Sequence, residues 1–104
     1  MRLEAVLESV PGLVQAELED WVARGWVLPA GEAPEWVFAE IDVARVRLVL
    51  DLRHGMGIDE EALPLVLSLL DQVYGLRRRL RAVMAAAEAQ PDPIREALRA
   101  ALRG

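Results

Sequence analysis

The 104-residue chain carries one imidazole, His54, set between Arg53 and Gly55. A lone histidine can serve as a general base, a metal ligand or a cation at a helix end, and its neighbours decide which. Cysteine, lysine, threonine and asparagine are absent, and the only serines are Ser9 and Ser68. A serine triad would have to use His54, a zinc site would need carboxylates around that one ring, and Schiff-base or P-loop chemistry lacks its lysine. His54 is therefore expected to close a helix, where the last carbonyls favour a cation, and at most to touch a partner. Trp21, Trp26, Trp36 and Phe38 could line an aromatic pocket, but their placement favours core packing. No catalytic residue, metal ligand or cofactor is assigned, and the chain reads as a binding protein.

Charge is the stronger signal. All twelve basic residues are arginine, against seventeen acids, for a net charge of -5. Residues 1 to 70 hold thirteen acids and five arginines, a balance of -8, whereas residues 71 to 104 hold four acids and seven arginines, a balance of +3. The first two-thirds repels phosphate and attracts basic partners. No apolar run reaches the roughly 18 to 20 residues that cross a bilayer. Met1-Arg2-Leu3-Glu4 opens no export signal, so no membrane association and a cytoplasmic location are expected.

The elements that must position these residues are mainly helical. Leu3, Val6, Leu7 and Val10 recur at helical spacing before Pro11-Gly12. A second helix runs from about Val14 to Arg24, with Leu18, Trp21 and Val22 on one face and Glu17, Asp20 and Arg24 on another, and Gly25 stops it. Two short apolar pieces, Trp26 to Pro29 and Trp36 to Phe38, predict a hairpin or wing. A third helix is expected from an Asp42 cap to about His54, and a long one from an Asp59 cap to about Ala87, with Pro64 bending its first turn or shifting its start. Within the long helix Ala62, Val66, Leu69, Val73, Leu76, Leu80, Val83 and Ala87 alternate in steps of four and three, the period of a coiled-coil seam. Leu63, Leu67, Leu70 and Tyr74 form a second apolar set along the first half only, so that half can pack on the domain while the seam meets a second subunit. A helix buried within a monomer is the rival reading, and a homodimer is preferred because 104 residues leave few elements to cover both faces. Gln90 to Pro93 interrupts the helix, and Asp92 as N-cap with Pro93 at the first helical position starts a short last one, Ile94 to Arg103. The expected division is 1–58 for the helix-turn-helix with its wing and 59–104 for the dimerisation helix and short C-terminal helix, in one compact unit.

This order resembles that of the MerR-like winged helix-turn-helix proteins. Their TLRYYE-like stretch and Gly-Leu-Leu-x-Pro-like exit correspond here to Glu17-Leu18-Glu19-Asp20-Trp21-Val22 and Gly25-Trp26-Val27-Leu28-Pro29. The scaffold positions Leu18, Trp21 and Gly25 fit. The positions that offer Thr, Arg and Tyr to DNA in that family are Glu17, Glu19 and Asp20, and three carboxylates facing phosphates repel.

A narrower resemblance, over residues 12 to about 84, is to the CbpM family of co-chaperone modulators. It is carried by Trp36-Val37-Phe38, Leu52-Arg53-His54 and Leu67-Ser68-Leu69-Leu70-Asp71, and departs from the pattern in the extension from Pro91 to Gly104. The resemblance implies a protein that binds the J-domain of a DnaJ-like co-chaperone of the CbpA type, and that inhibits its Hsp70 co-chaperone and DNA-binding activities. The residues expected at that contact are Glu17, Glu19, Asp20, Arg24, Asp51, Arg53, His54 and Asp71. The expected dimer seam is Val66, Leu69, Val73, Leu76, Leu80 and Val83. A MerR-like DNA-binding transcriptional regulator is the alternative.

Overall fold

A computed structural model describes residues 1–104, with five α-helices and no extended sheet. Helix α1 spans Leu3–Ser9, α2 Gln15–Ala23, α3 Glu40–Leu50, α4 Leu63–Glu88 and α5 Asp92–Arg103, and a π-helical turn, Asp51–Gly55, continues α3. The architecture is a helix-turn-helix with a small wing, followed by a long helix and a short C-terminal one. No helix is long and apolar enough to cross a membrane. Contacts divide the chain into two units, Met1–Leu67 and Ser68–Gly104.

In the first unit, α1 and α2 turn their apolar faces inward. Leu3, Val6, Val10, Leu18 and Trp21 are buried with Val43, Val46 and Val49 of α3, and Leu63 and Leu67 of α4 join them. Leu7, which helical spacing also placed on the inner face of α1, is only half-buried. The end of α2 is fixed by backbone geometry. Trp26 N–H bonds to the Trp21 carbonyl at 2.9 Å and Gly25 N–H to that of Val22 at 3.1 Å, the two bonds of a Schellman motif. It needs a left-handed residue after the cap, and Gly25 supplies it at φ 77°. Trp21 and Trp26, the side chains that flank such a stop, are both buried.

The wing is smaller than a hairpin of two strands. Ala30 and Val37 exchange both backbone hydrogen bonds, at 3.0 and 2.9 Å, and no further pair extends the ladder on that side. On the other side of the returning limb, Phe38 N–H bonds to the Met1 carbonyl at 2.6 Å, and the Met1 amino group bonds back to the Phe38 carbonyl at 2.7 Å. Phe38 points into the core and meets Trp36 edge-on with centroids 6.5 Å apart. Helix α3 starts two residues before the expected cap. Asp42 sits inside its first turn and accepts the Ala39 N–H at 2.7 Å, reaching back as the inner half of a capping box does. Asp59 behaves as expected, its carboxylate accepting the Ala62 N–H at 2.8 Å, but it caps a turn that precedes α4. Regular helix starts at Leu63, so Pro64 is its second residue, where a missing N–H costs nothing.

In the second unit α4 continues to Glu88, and α5 begins with Asp92, one residue before Pro93, with Pro91 as its cap. Arg99 grips Glu88 in a two-pronged fork, Nε to Oε1 at 3.1 Å and Nη2 to Oε2 at 2.8 Å. The Glu88 hydrogen bond, then its charge, holds the Arg99 guanidinium above its usual pKa.

Candidate functional site

Helix α2 presents two chemically distinct faces. Leu18 and Trp21 are buried, while Glu19 and Asp20 are exposed and Glu17 lies at the margin. Opposite Glu17 stands the π-turn. Its wide ring closes with Met56 N–H on the Asp51 carbonyl at 2.9 Å, five residues back, and such turns are frequent at functional sites. The turn carries His54 to Glu17, with Nε2 to Oε2 at 2.6 Å. His54 thus bridges to α2 and does not close its own helix on the terminal carbonyls.

A second chain of charges runs beside the first. Arg24 bonds to Asp20 through Nε at 2.9 Å and to Glu60 through Nη2 at 3.2 Å, and its guanidinium stands 5.1 Å over the ring of Trp26. Glu60 also faces Arg53 at 3.8 Å, and Arg53 donates to the Ile58 carbonyl at 2.9 Å. Glu19 accepts a hydrogen bond from Gln15 at 3.0 Å. The first unit therefore pairs Glu17 with His54, and Asp20, Arg24 and Arg53 with one another through Glu60, whereas Glu19 is exposed on α2 and meets only Gln15. Asp51 opens that turn and is exposed, and Asp71 lies in α4 within the second unit, outside this cluster.

Glu60 is the member that sequence reasoning missed. In Asp59-Glu60-Glu61 it reads as a first-turn acid favoured by the helix dipole, and only the fold shows it shared by two arginines from different elements. Counting it, the surface holds four carboxylates against two guanidiniums and one imidazole. The wing carries Glu32 and Glu35 and no arginine between Gly25 and Glu40, and Glu35 is paired with Arg2. No group of three or more metal-ligating side chains comes together. Such a surface can orient and discriminate a cationic partner.

The seam residues follow one line along α4. Val66 is half-buried, and Leu69, Val73, Leu76, Leu80 and Val83 are exposed. Of the second apolar set, Leu63 and Leu67 are buried, Leu70 is half-buried and Tyr74 is exposed, its ring 6.0 Å from the Arg77 guanidinium.

Helix, turn, helix, wing and long helix define a regulatory scaffold of the helix-turn-helix class. A family model described as MerR HTH family regulatory protein matches residues 8–84, and the chain belongs to that family. No curated protein and no solved structure shows significant similarity to it.

Proposed function

We propose that the chain is a non-catalytic cytoplasmic regulator that uses the MerR scaffold to bind a protein in place of DNA. Its target is the J-domain of a DnaJ-like co-chaperone of the CbpA type. Occupying that domain would block both its stimulation of Hsp70 and its association with DNA. The observation that carries this reading is the set of carboxylates on and beside α2, Glu17 held by His54, Asp20 linked through Arg24 to Glu60, and exposed Glu19. The resemblance to CbpM modulators points the same way, since a J-domain offers a basic helix as the electrostatic complement. Arg24, Arg53 and His54 hold the carboxylates in place, and Asp51 and Asp71 are further acids available to the partner. Two copies meet through Val66, Leu69, Val73, Leu76, Leu80 and Val83, so the working form is a homodimer.

A DNA-binding regulator is the second reading, favoured by the family match itself. Against it, the wing and α2 together offer phosphates mostly carboxylates, and neutralising a duplex takes several cations at the contact surface. Calorimetric titration of the full chain with an isolated J-domain, and separately with duplex DNA at low salt, tests both. Saturable J-domain binding that weakens with salt is expected, and no binding to the duplex. Duplex binding with a steep salt slope and a silent J-domain titration would replace this proposal with the second.

A further inference from the structure

The second unit contains no buried residue. Leu70 is half-buried, and its other large apolar side chains range from 37% exposed at Leu98 to 60% at Leu76 and Leu102. On α5, Ile94, Leu98 and Leu102 follow one another in steps of four with Ala97 and Ala101 beside them, while Arg95, Glu96, Arg99 and Arg103 occupy the other faces. The Arg99–Glu88 fork holds α5 against the end of α4. A helix of twelve residues is marginal by itself, so its apolar line needs cover as much as the α4 seam does. A two-stranded coil would bury the seam and leave that line in water.

We propose that α5 is part of the contact between two copies of this chain, its Ile94, Leu98 and Leu102 closing over the α4 seam of the second copy so that two α4–α5 hairpins form one four-helix assembly. A second copy is the occupant because the seam repeat is self-complementary, and because α5, tied to the end of the seam helix by the Arg99–Glu88 fork, presents a second exposed apolar line in the same unit. Helix α5 lies outside the residues shared with the family, which makes this contact a property of this chain. The inference rests on the homodimer in the preceding proposal.

Sedimentation equilibrium of the full-length chain and of a Leu98→Glu, Leu102→Glu variant separates the two. Glutamate keeps helix propensity while setting carboxylates in the contact. The unmodified chain should be dimeric at micromolar concentration, and the variant, with unaltered helical circular dichroism, should dimerise about a hundredfold more weakly. A dimeric wild type with an equally tight variant would remove α5 from the interface and leave the seam intact. A monomeric wild type would overturn both. Hydrogen exchange of the unmodified chain reads the same contact without substitution: α5 amide protection should rise in step with the dimer fraction, and protection independent of concentration overturns the proposal.

Discussion

Reversing Glu19 to arginine is the cleanest way to question the α2 surface, because the side chain is exposed and its one recorded contact is the Gln15 hydrogen bond. An exposed substitution of this kind changes stability by no more than about 0.5 kcal/mol. A charge pair some 6 Å apart across a wet interface is worth about 0.7 kcal/mol, so turning attraction into repulsion changes binding by about 1.4 kcal/mol, or tenfold. Adding Glu17→Arg and Asp20→Arg should carry the loss to between about a hundredfold and a thousandfold at low salt. The triple variant also breaks the His54 and Arg24 pairs, exposed contacts worth about 0 to 1 kcal/mol each, so its melting temperature should fall by several degrees while that of Glu19→Arg holds. Calorimetry against the J-domain at low salt and again at 0.15 M, where the Debye length is about 8 Å, should show the penalty shrinking as salt rises. If the wild type binds and both variants bind equally well, α2 is not in the interface and the charge argument is wrong.

Replacing Leu76 and Leu80 by aspartate should separate the subunits, since two carboxylates per chain would enter a desolvated seam at a cost of several kcal/mol; light scattering at micromolar concentration reads the result. Phe38→Ala should lower stability by about 3 to 5 kcal/mol, because the ring is buried under the wing and its loss leaves a cavity; the urea midpoint measures it. Gly25→Ala should cost about 1 to 2 kcal/mol by urea unfolding, and the cost is conformational: a Cβ there meets nothing within 4 Å, but φ is 77°.

The helices were legible where one periodicity had one cause. Leu18, Trp21 and Gly25 carry both the inner face of α2 and its stop, and all three behave as their types require. The third helix was misread at its start because a carboxylate at the third helical position serves the same orphan N–H that a cap residue would relieve from outside, and Asp42 does the former. The wing's short apolar pieces suggested paired strands, but Pro29, Gly31 and Pro34 leave room for one backbone bridge. The site was half legible. The types of Glu17, Glu19 and Asp20 announce a reversed surface, while the His54–Glu17 and Arg24–Glu60 contacts join residues 36 or more positions apart, and no local pattern encodes such pairings.

That the reversal is structurally tolerable follows from how α2 divides its labour. Its fold-determining contacts belong to Leu18, Trp21 and the Schellman stop at Gly25, on the buried side and at the end. Its outer side is free of them, so Glu17, Glu19 and Asp20 can stand there without disturbing the core. Glu17 is then held by His54, which the π-turn delivers, and Asp20 by Arg24, which shares Glu60 with Arg53, while Glu19 meets only Gln15. Membership of the MerR family therefore fixes the frame and leaves the ligand to these few exposed side chains. A frame whose second helix exposes carboxylates and whose long helix repeats an exposed apolar line is what the proposed contacts would use, a basic protein at α2 and a second copy along α4.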